Sequence, residues 1–408
     1  MVNPTIETDS KGKLHMVYPA YAIGDAFYST CSGNCTDPEQ VKSVKLPTQG
    51  TVANAMIALD ASDRPHVLLS TFQRVYYAAC TGDCTQPGAW TVSVVLEHGS
   101  DREVTGEAFA VTPDGKPRFL MHTYRAFAGI GQKPPATFYV TCDANCGSSG
   151  SWTSSQIAEE TWQESTLRLS AQGHPRVSTV ASLEDATTGQ TRDMAAYLEC
   201  NDGQCTSGDA WIGVALYDSF SDPYVQMIDP AVSLALTKAG TPRVLVLGKN
   251  ENAEKNLVYF ACDQNCTDGN SWQGSILLES ENIGAGLDLA LDGQDRPRFV
   301  YTAQSNILLA HCDENCAGPE SPWDLTKVAF GQDIPADDIF LYPNCTVAAW
   351  FLSHPSLTLG KDGLPRVAYR IEDISGSGPT TPDPTKPQCK AGADMTLVRY
   401  SQLPYVKQ

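Results

Sequence analysis

Apolar and polar residues alternate along most of this chain in short runs such as "MIALD", "RVYYAAC" and "SWQGSILLE". The 3.6-residue period of an amphipathic helix is absent throughout, and the runs are bounded by Asp, Gly, Pro and Asn. The pattern predicts half-buried β-strands joined by tight turns.

The runs repeat. "LDASDRPHVLL", "VTPDGKPRFLM", "LSAQGHPRVST", "LTKAGTPRVLV", "LDGQDRPRFVY" and "LGKDGLPRVAY" share one pattern, and "TDSKGKLHMVY" is a weaker first copy without the proline. These seven copies lie roughly 50 to 70 residues apart. Most are followed by an apolar run ending in cysteine, then by a second cysteine, a tryptophan and another alternating run. Each unit reads as four antiparallel strands, A to D, with the Asp/Gly/Pro turn between A and B. The predicted fold is all-β: a seven-bladed β-propeller of four-stranded, disulfide-clipped blades, one domain over 1–408. The blades are expected near 1–50, 51–100, 101–160, 161–219, 220–281, 282–331 and 332–408. A row of separate sandwiches is disfavoured, because single units of about 50 residues bury too little surface alone.

Fourteen cysteines support this layout. Twelve of them form close pairs at one structural position: Cys31 and Cys35, Cys80 and Cys84, Cys142 and Cys146, Cys200 and Cys205, Cys262 and Cys266, Cys312 and Cys316. Each pair is expected to bridge the C–D turn, with Trp90, Trp152, Trp211, Trp272 and Trp323 packing between blades. Such a short loop contributes about 2 kcal/mol per bridge. A zinc site would need two pairs brought together, which blade geometry prevents. Cys345 and Cys389 are expected to staple the seventh blade, since the chain starts with strand A of blade one and ring closure by a swapped strand is not expected. So regular a use of cysteine indicates an oxidising compartment, and the chain is expected to be secreted or periplasmic. "MVNPTIETDSKG" runs straight into patterned sequence, so either a leader has been removed or Met1 is not part of the natural chain.

The turn "CTDGNSW" loosely resembles the Asp-box turn of bacterial neuraminidase repeats, with a disulfide in place of the aspartate turn. The "DxxGxPRV" turn is similar to repeats in secreted seven-bladed propellers, some polysaccharide lyases among them. The resemblance covers scaffold residues and implies a secreted propeller fold.

Hydrophobic content of 42% against 18% charged residues is that of a chain with a substantial core. A net charge of -19 excludes nucleic acid and anionic membrane as partners, and no apolar run reaches a membrane span. A glycan or small-molecule ligand and a monomeric chain are expected. The repeated turns occupy one face of a propeller. The variable D–A and B–C loops occupy the other, where "HTYRAFAGIGQKPPAT", "GQDIPADDIFLYPNCTVAAWFLSHPS" and "RIEDISGSGPTTPDPTKPQCKAGAD" stand out.

Alignment of the blades places Asn3, Asn54, Gly106, Glu164, Ala231, Gly286 and His354 at the channel mouth, with Glu107 and Asp229 nearby. His122 ends strand B of blade three, followed by Tyr124 and Arg125, and Arg370 is its counterpart in blade seven. Trp162, Tyr224 and Trp350 flank the mouth as expected substrate contacts, together with His354 and Arg370. Three chemistries fit. His122, Tyr124, Arg125, Glu107 and Glu164 suit acid–base cleavage by a polysaccharide lyase. Glu107 and Glu164 alone suit a glycoside hydrolase. Asn3, Asn54, Glu107, Glu164 and Asp229 supply the hard oxygens of a calcium site, similar to that of calcium-dependent propeller lactonases and phosphotriesterases. A lectin would repeat its sugar site from blade to blade, whereas this chain varies its mouth, and a protein-interaction platform would present Phe127, Tyr342, Trp350 and Phe351. The plain alternative is a ring of polar residues that only binds water. His15, His66 and His174 sit in repeated turns and read as scaffold, as does His311. The Asn-Cys-Thr sequons at Asn34, Asn265 and Asn344 matter only in a eukaryotic secretory host.

Overall fold

The computed structural model describes residues 3–20, 24–97, 102–125, 135–184, 191–201, 205–218, 231–249, 255–279, 283–304, 306–318, 322–334, 346–347, 350–373, 376–377 and 396–403. Six sheets contain four antiparallel strands in sequence order, spanning Thr5–Leu46, Asn54–Glu97, Arg102–Ala158, Gln163–Asp218, Ala231–Glu279 and Ile283–Ala329. In the seventh, Trp350–Leu359, Pro365–Asp373 and Thr396–Gln402 pair as strands A, B and C, and the position of a fourth strand lies outside the described residues. The molecule is the seven-bladed propeller predicted from its repeats.

The repeated turn works as a side-chain cap. Asp9, Asp60 and Asp292 each accept the backbone N–H groups two and four residues on. Thr112, Ser170 and Thr237 cap the same turn through a hydroxyl that accepts the N–H four residues on. These polar residues are buried, yet each satisfies the turn that buries it.

All six close cysteine pairs are disulfides, each closed within its own blade. Cys31 bonds to Cys35, Cys80 to Cys84 and Cys142 to Cys146. Cys200 bonds to Cys205, Cys262 to Cys266 and Cys312 to Cys316. None of the twelve lies on the cavity at the channel mouth described below, so the clips are structural. The arginine of the "PR" motif holds the clip: Arg118, Arg176, Arg243 and Arg298 donate to the carbonyls of Cys142, Cys200, Cys262 and Cys312 at 2.8–3.2 Å. In blade seven no clip lies among the described residues, and Arg366 turns to Asp362 instead. Each clip tryptophan then joins two blades. Trp90, Trp152, Trp211, Trp272 and Trp323 pack on Tyr28, Tyr77, Tyr139, Tyr197 and Tyr259 in strand C of the preceding blade, with ring centroids 4.8–5.3 Å apart. The indole N–H groups of Trp90, Trp152, Trp211 and Trp272 donate to the carbonyls of Cys84, Cys146, Cys205 and Cys266, the second cysteine of each clip. The buried tryptophan therefore gains aromatic packing without leaving its one donor unmet. In blade six the carbonyl of the second cysteine, Cys316, accepts the Ser275 hydroxyl of blade five at 3.0 Å. Cys345 and Cys389 lie outside the described residues.

A hydrogen-bond chain spans the seam between the first and last blades. The Asp288 carboxylate of blade six accepts Ser233 Oγ from blade five at 3.0 Å, and the Leu357 N–H of blade seven at 2.8 Å. Ser356 Oγ bridges onward, donating to Asp288 and accepting the Ile6 N–H of blade one at 3.3 Å. Among the described residues no helix is long and apolar enough to cross a membrane.

Candidate functional site

The inner strands of all seven blades line one cavity of about 570 Å³ at the mouth of the central channel. Asn3, Asn54, Glu107, Glu164, Gly286 and His354 lie on its wall as expected.

Sequence periodicity did not reveal how those side chains are aimed. Strand A pairs regularly with strand B in blades one, two and five. In blades three, four, six and seven the register slips near the mouth, at Ala108–Phe109, Glu164–Ser165, Gly284–Gly286 and His354–Pro355. At each slip one residue adopts positive φ: Ala108 at 52°, Glu164 at 50°, Gly286 at 94° and His354 at 49°. Bulges re-aim side chains, and a non-glycine residue held at positive φ carries local strain. Gly286 has a further reason to lack a side chain, because a Cβ there would stand 2.6 Å from the His354 Cα.

The bulges of blades three and four assemble a polar seam. His122 is fully buried, and its Nε2 stands 3.5 Å from Glu107 Oε2. The surrounding hydroxyls fix its tautomer. Thr137 Oγ1 donates to Glu160 O at 2.8 Å and accepts the Trp162 N–H at 3.0 Å, so it can only accept from His122 Nδ1, at 3.2 Å. On the other side, Thr179 donates to Gln163 O, which leaves its oxygen to accept the Ser165 hydroxyl at 2.7 Å. The Ser165 proton is thus engaged, although its oxygen lies 3.4 Å from His122 Nε2. His122 therefore carries its proton on Nδ1 and presents a bare Nε2 to Glu107.

Glu107 answers with a proton. Burial, and then the negative charge of Glu164, push its carboxyl up to about 8, against the pull of the Ser165 backbone N–H. Burial pushes His122 down to about 3. Between those limits both groups are neutral, the carboxyl protonated and the imidazole carrying its single proton on Nδ1. With 23% of its side chain exposed, Glu107 also reaches the cavity.

Three sequence expectations change at this point. His122 was expected to act on substrate directly, but it sits beneath the wall, behind Glu107 and Ser165. Trp162 was expected to flank the mouth, yet it is 4% exposed and packs in the core shared by blades three and four, its indole N–H donating to Glu160. It shares that core with Leu167 and Val177. Arg370 is not on the cavity wall: it pairs with Glu372 alongside its own strand. Tyr224 and Asp229 lie outside the described residues, as do the side chains of Tyr124, Arg125 and Trp350.

The cavity also holds residues that the sequence reading missed. Glu7 and Asp288 line it lower down, with Arg168 between them in charge. Burial raises Glu7 to about 7, opposed by Arg168 and reinforced by Asp288. Burial likewise raises Asp288, opposed by Arg168. Phe72, in the B–C turn of blade two, is 45% exposed on the cavity. Alternation marks these acids as facing out of their strands, but only closure of the ring turns that direction into a shared channel. Among the described residues, no three His, Cys, Asp or Glu side chains converge as a metal-binding group.

No protein-family model and no curated protein sequence matches the chain. Among solved structures it is similar to the polysaccharide lyase Uly1, with a TM-score of 0.52 and 11% identity over 98% of this chain and 88% of that one. It is also similar to an ulvan lyase of the polysaccharide lyase family PL25, with a TM-score of 0.50 and 12% identity over 80% of this chain and 78% of that one. At such identity the likeness is one of fold.

Proposed function

We propose that this chain is a secreted, carbohydrate-active enzyme that hydrolyses a glycosidic bond at the channel mouth, with Glu107 as its acid and Glu164 as the partner carboxylate. The observation that carries this reading is the Glu107–His122 pair. A carboxyl group that keeps its proton to about pH 8, on a cavity wall and beside a second carboxylate, is what protonation of a leaving glycosidic oxygen requires. Glu164, exposed on its strained bulge, is the group to attack the anomeric carbon or to activate water. His122, fixed by Thr137, is a positioning residue that backs Glu107 from beneath the wall. The bulges favour one asymmetric site over a lectin's repeated one: four blades carry them, each with a different side chain at the mouth.

The second reading is a polysaccharide lyase, favoured by the fold likeness to Uly1 and the PL25 ulvan lyase. A panel of soluble glycans separates the two. Hydrolysis yields new reducing ends alone, whereas β-elimination adds an ultraviolet-absorbing unsaturated product. Glu107→Gln is expected to lower hydrolysis at least a hundredfold. Unsaturated product from the wild-type protein, or full activity in Glu107→Gln, would overturn the assignment.

A further inference from the structure

The charge of the cavity narrows the glycan. Glu7, Glu107, Glu164 and Asp288 line it against one lysine or arginine among the described lining residues, Arg168. Arg168 acts on the deep acids, opposing the rise of both Glu7 and Asp288. The titratable groups facing Glu107 are Glu164 and His122, and His122 is neutral. With Glu107 protonated and His122 neutral, the negative charge at the mouth is that of Glu164, and the low-dielectric walls concentrate its field. A uronate or sulfate ester would enter against it, and against the net charge of -19 on the whole chain.

An independent feature points the same way. Phe72 offers its ring on the cavity, and its carbonyl accepts the Val104 N–H at 3.0 Å. That bond ties the B–C turn of blade two to the strand that carries Glu107. An exposed ring covers the apolar face of a sugar and also attracts cations through its quadrupole. The ring and the Glu164 carboxylate together are recognition chemistry for an amine.

We propose that the cavity takes a glycan bearing a free, protonated amine, its sugar ring over Phe72 and its ammonium towards Glu164. This rests on the glycan reading above and narrows it. The test is calorimetric titration of the disulfide-intact protein, at neutral pH and low salt, with a glucosamine trimer, its N-acetylated counterpart and a galacturonate trimer. The amine is expected to bind about tenfold more tightly than the N-acetyl sugar, with the uronate weakest. Added salt shrinks the advantage of the amine, a readout that needs no variant. Glu164→Gln brings the amine down to the N-acetyl sugar, while Phe72→Ala weakens both. Equal binding of the two neutral-backbone sugars would overturn the charge argument and leave the glycan site standing. Preferential binding of the uronate would overturn it in favour of the lyase reading. Binding of none of the three would remove both this proposal and the glycan assignment.

Discussion

Replacing Glu107 by Gln tests the proton assignment without any substrate. Glutamine keeps the shape of the protonated carboxyl: its amide can donate to His122 Nε2 and accept the Ser165 N–H. The wild-type carboxyl titrates at about 8 when folded against an ordinary value of 4.5 when unfolded. Below about pH 4.5 both states hold the proton, and its contribution to stability is fully present. Above that, the unfolded chain releases a proton that the folded chain keeps, so stability falls as pH rises and the loss is complete just above 8. The interval of 3.5 units sets a ceiling of about 5 kcal/mol, and partial exposure of the side chain brings it nearer about 4 kcal/mol. For 408 residues, at ~2.1 cal/mol/K each, unfolding carries an entropy of ~0.86 kcal/mol/K, so ~4 kcal/mol moves Tm by about 5 °C. Calorimetric melts across this range should therefore find the two proteins alike near pH 5, and the variant about 5 °C more stable near pH 9. Glu7 and Asp288 titrate in both proteins and cancel in the difference. Glu164→Gln is the control, because removing its charge should move the wild-type fall to lower pH. Melting curves of wild type and Glu107→Gln that stay within about 1 °C of each other at pH 9 would refute the buried carboxyl group.

Gly286→Ala places a Cβ 2.6 Å from a backbone atom at a φ of 94°, so it should cost about 1–3 kcal/mol and lower Tm by roughly 1–4 °C in the same melts. The Cys262→Ser, Cys266→Ser double variant should lose about 2 kcal/mol, a similar fall, with the remaining clips still oxidised by mass spectrometry. Chelation by EDTA should leave Tm unchanged at neutral pH, because a protonated Glu107 is a poor cation ligand; a drop that calcium restores would replace the acid reading with a calcium site on Asn3, Asn54, Glu107 and Glu164.

The scaffold was legible because its physics is local and repeated. An Asx turn, a short disulfide clip and a tryptophan with one donor each solve the same problem from blade to blade, so their residues recur at fixed offsets. The pairing of Cys31 with Cys35, or of Cys312 with Cys316, needs no knowledge of the ring, because both partners lie on one turn. Even the contact of Trp272 with Tyr197 in the preceding blade follows from the repeat. The mouth was legible only as a register. Alignment brought Glu107, Glu164 and His354 to one cavity, but it assumed unbroken pairing along strand A. It could not show that a two-against-one slip turns Glu164 outward, or that His122 ends beneath Glu107 instead of beside the ligand. Trp162 was misplaced for the same reason: its neighbours Glu160 and Gln163 are polar, and only the seam between blades three and four shows that the indole fills a core.

The bulges also explain how a symmetric scaffold comes to hold an asymmetric site. Seven equivalent strands with perfect pairing would present seven equivalent side chains, as a repeated binding surface does. Where strand A stays regular, its polar groups serve the ring itself: Thr5 Oγ1 donates to Ala55 O and accepts the Ile57 N–H, while Asn54 donates to Gly106 O. Where it slips, in blades four and seven, Glu164 and His354 are aimed into the cavity. Strain at Ala108 and Glu164 is tolerated because the clips, arginines and tryptophans hold blades three and four from their outer ends, well away from the channel. The stability of the rim and the chemistry of the mouth are therefore separable. Loss of one outer clip should lower Tm yet leave the pH dependence of the Glu107 difference where it stands, whereas restoring regular pairing at Glu164–Ser165 should abolish that difference with the rim intact.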